Sequence, residues 1–187
     1  MLPPRALSGS GLFCVLSCIP ENPKPGFTNY PLPMTFKVTP SLQIKLLSDR
    51  AQVPAYQTAG ASGMDLCACL PPDQKEWVLK PGDIAMIPTG LSVAIPPGFE
   101  GQVRARSGLA TKNGIGLPNS PGTIDSDYRG ELKVALINWG REAFAITHHM
   151  RIAQLVITPV ARAEIEVVHT LDATDRGTGG FGSTGLV

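Results

Sequence analysis

Two carboxylates flank one serine in Gly122-Thr123-Ile124-Asp125-Ser126-Asp127-Tyr128-Arg129-Gly130, a segment that follows Pro121. With turn residues at both ends it reads as a hairpin, and a carboxylate at a hairpin mouth can act as a general base. In extended backbone Asp125 and Asp127 would share one face, with Tyr128 on the other. Turn chemistry alone also explains aspartates at such a place. A second group is Arg104-Ala105-Arg106-Ser107-Gly108. There a strand would end and the one segment able to hold a helical turn or two, Ser107–Asn113, would begin. Arginine, a hydroxyl and helix-start amides can hold an anion, whereas strand-edge arginines with a serine cap are the plainer reading. In Gly60-Ala61-Ser62-Gly63-Met64-Asp65-Leu66 one aspartate opens a strand. It would suit Mg²⁺ only if phosphates or waters filled the other positions.

The chain ends in Arg176-Gly-Thr-Gly-Gly-Phe-Gly-Ser-Thr-Gly-Leu-Val187. Gly177, Gly179 and Gly182 match G-x-G-x-x-G in form, yet no strand precedes them and no helix can follow, so the dinucleotide reading fails on context. No lysine is present for a Walker A loop. What remains is Arg176, a row of unhindered amides, the hydroxyls of Ser183 and Thr184, and Phe181. Such an arm can wrap a phosphate chain while Phe181 stacks on a flat ring. An unstructured glycine tail is the alternative. His148, His149 and His169 carry no ligand spacing and read as edge-of-strand residues rather than a metal site.

These groups must be positioned by short elements. With 20 glycines and 18 prolines among 187 residues, breakers make up about a fifth of the chain, against ~12% on average. That density argues against helix bundles, coiled coils and long βαβ crossovers. Charged residues are 17% and apolar residues 43%, which suits a compact fold with many buried positions. A net charge of +1 gives no field that would draw nucleic acid or acidic membranes, so an anionic ligand must be held by local arginines. No apolar stretch reaches the ~18–20 residues of a membrane span. Strand-like runs lie at Leu42–Leu47, Asp65–Leu70, Trp77–Leu79, Ile84–Pro88, Leu91–Ile95 and Gln102–Arg106. Others follow at Glu131–Asn138, Phe144–Thr147, Ile152–Thr158 and Ala163–Val168. Their spacing and the Pro-Gly turns between them predict an all-β, jelly-roll-like distorted barrel.

Residues 1–33 differ from the rest, with seven prolines and Glu21 as their sole acidic residue. The apolar patch 11–19 is short for a signal peptide and lacks a following A-x-A site, and one arginine is too few for a transit peptide. Met34, directly before the first strand-like run, reads as the natural start. The expected organisation is therefore an extension over 1–33, a β-barrel domain over 34–170 and a glycine-rich, flexible arm over 171–187. The four cysteines form no C-x-x-C pair, so free thiols and a reducing, cytoplasmic setting are expected.

Taken in order, Ala59–Ala68, Arg106-Ser107-Gly108-Leu109-Ala110, Gly122–Gly130, Arg151-Ile152-Ala153-Gln154-Leu155-Val156-Ile157 and Arg176–Gly185 resemble the five motifs of the trimeric dUTP diphosphatases (dUTPases). The resemblance spans about residues 42–185, with the last motif complete. It departs at His149-Met150, where a Gly-Asp pair is common. It implies a dUTPase-like (β-clip) fold, a homotrimer with shared active sites, and the reaction dUTP + H₂O → dUMP + pyrophosphate, which keeps uracil out of DNA and supplies dUMP for dTMP synthesis. Asp125 matches the base that activates water. Asp65 would orient waters of a Mg²⁺ cofactor carried by the three phosphates. Asn119 and the hairpin residues Thr123 and Ile124 would meet uracil, Tyr128 would exclude a ribose, and Lys133 would join the substrate contacts. Arg106, Ser107 and Gly108 would hold the phosphate chain with Gln154 in support. Arg176, Gly182, Ser183 and Thr184 would close on the triphosphate as Phe181 covers the base. A dCTP deaminase of related fold has no use for an Asp-x-Asp-Tyr hairpin of this kind. A sensor that had lost catalysis would be expected to lack Asp125 or the arm.

Overall fold

Short apolar runs broken by Pro-Gly turns can satisfy their backbone only by pairing with one another, and here they pair antiparallel throughout. The computed structural model describes residues 39–180. Residues 1–38 and 181–187 lie outside that range, and with them the expected start at Met34, Cys14 and Cys18, and Phe181, Gly182, Ser183 and Thr184. The described chain runs β1 (Gln43–Leu46), β2 (Ala55–Tyr56), β3 (Met64–Cys67), β4 (Glu76–Leu79), β5 (Ile84–Ala94) and β6 (Phe99–Ala105). It continues through α1 (Ser107–Asn113), β7 (Ile115–Gly116), β8 (Gly122–Ile124), β9 (Glu131–Asn138), β10 (Phe144–Thr147) and β11 (Arg151–Pro159). Among the described residues no helix is long and apolar enough to cross a membrane.

The all-β expectation holds, but the barrel is not closed. The strands form three sheets, ordered β1-β5-β9-β7, β2-β3-β11-β6-β8 and β10-β4. β5 was expected as two strands, Ile84–Pro88 and Leu91–Ile95. It is one strand with a bulge in its pairing with β9: Ile84–Pro88 pair with β9 before the bulge and Ser92 resumes opposite Glu131, while Leu91–Ala94 pair with β1 along the other edge. Gly90 makes the bulge possible. Its φ is +68°, and an added Cβ would stand 2.9 Å from both Ala51 Cβ and Cys69 Sγ. The expected strand Ala163–Val168 does not form. It has no partner edge within the described chain, and Ile165 and Val167 are 88% and 93% exposed.

Period-two alternation does the packing. In β9, Leu132, Val134, Leu136 and Asn138 point inward while the residues between them are less buried. Leu66, Leu79, Ile87, Leu91, Ile146, Ile152 and Leu155 complete the core with almost no exposure. Each such side chain contributes about 1.5–3 kcal/mol of burial. Asn138 is the polar member, and its Nδ2 donates to the carbonyls of Leu79 and Glu142 at 2.9 and 2.8 Å. Among the described residues every buried side-chain nitrogen and oxygen has a partner.

The one helix among the described residues matches its expected bounds. It stops at Gly114, which takes φ +69° and donates to the carbonyls of Ala110 and Leu109. None of α1 is fully buried, though Leu109 packs partly against the core, and the helix follows directly on Arg106 at the end of β6.

Candidate active site

Three neighbouring strands bring one carboxylate among several donors. Asp65 on β3 lies opposite Gln154 on β11, which lies opposite Arg104 on β6. Asp65 is only 4% exposed. Arg151 Nη1 donates to its Oδ2 at 3.0 Å, and Gln154 Nε2 donates to its Oδ1 at 3.3 Å. Arg106 Nε lies 3.6 Å from the same Oδ1, and Arg106 Nη1 donates to the Arg151 carbonyl at 3.0 Å. One buried carboxylate thus fixes two guanidinium groups, and the cluster keeps a net positive charge suited to an anion. Beside it, burial first and then the charge of Asp65 push the Cys67 thiol up, only partly countered by Arg151 and Arg106. Cys67 and Cys69 are buried free thiols.

Both Asp65 oxygens already accept from Gln154 and Arg151, and the described residues contain no group of three His, Cys, Asp or Glu able to hold an ion. Such a set fits a Mg²⁺ that arrives with phosphate and water ligands rather than one caged by protein carboxylates.

The hairpin forms the second group. β8 pairs with β6, Gly101 opposite Ile124 and Val103 opposite Gly122, and the chain returns as β9. Residues 125–128 are a turn rather than extended backbone, with Tyr128 N–H donating to the Asp125 carbonyl at 3.2 Å. The expectation that Asp125 and Tyr128 occupy opposite faces is therefore wrong. The turn puts both on one cavity of about 410 Å³, with Asn119, Thr123, Ile124 and Lys133. Asp127 instead borders a neighbouring cavity of about 640 Å³ with Glu100 and Arg162, whose shared wall is Asp125. Tyr128 lies against Gly130, where an added Cβ would collide with the phenol oxygen.

The two groups do not meet within one chain. The pairing of β8 with β6 sets Asp125 level with Glu100, whereas Arg106 follows the far end of that strand. Six residues at ~3.3 Å each separate them by about 20 Å. Ser107 and Gly108 are exposed in the first turn of α1, beside Arg106. Arg176 stands apart and exposed, its Nε donating to the Gly179 carbonyl at 2.9 Å.

Sequence reading gave Arg151 no individual role, although it stands in a quoted motif, and it missed Glu131. His148 and His149 are structural. Leu70 N–H donates to His148 Nδ1 at 3.1 Å, and His149 Nε2 lies 2.9 Å from the Arg50 carbonyl. Burial first, then the charges of His149 and Arg50, lower the His148 pKa, in keeping with an unprotonated acceptor nitrogen. His149 takes φ +65° at the position where the resemblance departs from the common Gly-Asp pair.

An all-β chain with a strand-end arginine cluster for anions and a hairpin carboxylate beside a ring-sized cavity defines a nucleotide-handling protein. The dUTPase family profile matches residues 49–185. The chain is 56% identical over 139 residues to the deoxyuridine 5'-triphosphate nucleotidohydrolase of Desulfotalea psychrophila, covering 74% of this chain and 91% of that protein. With its counterpart in Syntrophotalea carbinolica it shares 55% identity over 148 residues, covering 79% and 99%. The structure of Staphylococcus bacteriophage 80alpha dUTPase with dUPNHPP superposes with a TM-score of 0.71 at 29% identity, covering 79% of this chain and all of that one. A dUTPase from phage phi11 of S. aureus, described with a structural Mg(II) ion, gives 0.62 at 26% identity, covering 70% and 97%. The chain belongs to the dUTPase family.

Proposed function

We propose that this chain is a dUTP diphosphatase in which Asp125 takes a proton from water as that water attacks the α-phosphorus. The bond from the α-phosphorus to its bridging oxygen breaks in line, releasing dUMP and pyrophosphate. The observation that carries the reading is the turn at 125–128, which puts a carboxylate, Tyr128 and Asn119 on one ring-sized cavity. Asn119, Thr123 and Ile124 meet uracil, with Lys133 at the edge, and the Tyr128 ring fills the space of a ribose 2'-hydroxyl. A site shaped for the uracil edge leaves polar groups unpaired when cytosine enters, and its narrow wall excludes the thymine methyl.

Arg106, Ser107 and Gly108 hold the phosphate chain, with Gln154 steadying Asp65. Asp65 orients Arg106 directly and would orient the waters of a bound Mg²⁺. Mg²⁺ bound with the triphosphate supplies neutralising charge for the leaving pyrophosphate. Arg176, Phe181, Gly182, Ser183 and Thr184 form the arm that covers base and γ-phosphate. The enzyme works as a homotrimer with shared sites. Two features support this: the ~20 Å between Asp125 and Arg106 in one chain, and the alternating segment 163–168, whose Ile165 and Val167 find no cover among the described residues. The cytoplasm is the proposed compartment, in keeping with the free thiols of Cys67 and Cys69.

Hydrolysis of dUTP in ¹⁸O-labelled water tests the chemistry. Mass spectrometry should find one ¹⁸O in dUMP and none in pyrophosphate, whereas label in pyrophosphate would mean attack at the β-phosphorus.

A further inference from the structure

The residues 125–130 that carry Asp125 and Tyr128 are mostly exposed, and their own contacts are few. Beyond the turn, Arg129 Nη1 donates to the carbonyls of Ser126 and Tyr128. What fixes the hairpin is its return limb, which is fastened to the β5 bulge. Thr89 Oγ1 donates to the Leu132 carbonyl, and Ser92 Oγ donates to the Arg129 carbonyl at 2.8 Å. The bulge takes Gly90 out of the ladder, and its N–H donates to Glu131 Oε1 at 3.0 Å. A carboxylate thus satisfies an amide that strand pairing has left free.

Glu131 makes two more contacts. Its Oε2 lies 3.6 Å from Lys133 Nζ, and its carbonyl accepts from the Tyr128 hydroxyl at 3.0 Å. Both partners line the cavity assigned above to the nucleoside. One residue therefore links the bulge, the ring and the lysine. We infer that Glu131 is a positioning residue for nucleoside recognition, setting Tyr128 and Lys133 by tying the hairpin to the Gly90 bulge. The inference rests on the dUTP reading of that cavity. Glu131 also lines that cavity, but its carboxylate is engaged by the Gly90 N–H and Lys133, so its loss should weaken binding more than the chemical step.

The test compares the full chain with Glu131→Ala and Glu131→Gln, measuring steady-state dUTP hydrolysis and dUMP binding by calorimetry. Glu131→Ala should raise both KM for dUTP and Kd for dUMP about tenfold, the scale of one charge-assisted hydrogen bond, with kcat falling by less than about threefold. Glu131→Gln keeps an acceptor for Gly90 and should return both constants to within about threefold of the parent. A lowered melting temperature with unchanged KM and dUMP affinity would overturn the inference, as would Gln failing to rescue. If the alanine variant does not fold, Glu131→Asp should weaken dUMP binding in its place, because its shorter stem draws the carboxylate away from Gly90. A parent that binds dUMP but leaves dUTP intact would overturn the diphosphatase reading, while the dUMP series still decides the role of Glu131.

Discussion

Asp125→Asn lowers dUTP turnover by about 10²–10⁴-fold, the range for losing a general base, while dUTP still binds. Asparagine matches aspartate in shape but cannot take the proton from water at neutral pH. The fold does not depend on the lost charge. Asp125 is exposed, and its part in the turn is played by its backbone carbonyl, which accepts from Tyr128 N–H. The melting temperature should therefore stay within a degree or two of the parent. Steady-state kinetics together with the affinity for a non-hydrolysable dUTP analogue check this. A variant retaining full turnover would remove Asp125 from the role of base.

Asp65→Asn acts by a different route and should damage stability and activity together. Asp65 is buried between two guanidinium groups, with Arg151 Nη1 at 3.0 Å and Arg106 Nε at 3.6 Å. An amide leaves those charges facing each other and presents donors of its own toward Arg106, Arg151 or Gln154. Removing one partner of a fully buried pair costs about 3–5 kcal/mol. The Arg106 and Arg151 side chains are 28% and 47% exposed, so water recovers part of that, and a loss of about 1–3 kcal/mol is expected. The melting temperature should fall by several degrees. Because Arg106 loses its anchor on the phosphate side, KM should rise far more for dUTP than Kd rises for dUMP. Thermal unfolding and the two nucleotide titrations measure this. Equal losses for both nucleotides would mean that the cluster does not serve the phosphates.

Much of the fold was legible where local pattern and tertiary structure agree. The alternation over Glu131–Asn138 and the run Phe144–Thr147 have the expected bounds, and Ser107–Asn113 stood out as the one segment able to hold a helical turn or two. β5 was split because Thr89-Gly90 looks like a turn in sequence. In the fold that glycine kinks a strand without ending it, a consequence of its neighbours Ala51 and Cys69 that no local window contains. β2, β7 and β8, at two or three residues each, are too short to leave a periodic signal. The alternation at 163–168 was read as a strand, but it has no partner among the described residues and does not form one.

The site was legible as residue types and much less as geometry. Asp125, Tyr128, Asn119 and Lys133 do share a cavity, but the turn that unites two of them is a backbone hydrogen bond that an extended reading could not supply. Arg151 reaches Asp65 across 86 positions of sequence, and Glu131 reaches Gly90 across 41. Such pairs are set by strand register, which is fixed only when the sheets assemble.

The central claim is that this pocket selects and hydrolyses dUTP. One measurement tests it most directly: pyrophosphate release with Mg²⁺ from dUTP, dCTP, dTTP and UTP, run in parallel on one preparation of the full chain. The account predicts rapid release from dUTP and rates at least about 10²-fold lower from the other three. Comparable release from dTTP or UTP would contradict the roles given to the hairpin wall and Tyr128, and ammonia from dCTP without pyrophosphate would contradict the diphosphatase itself.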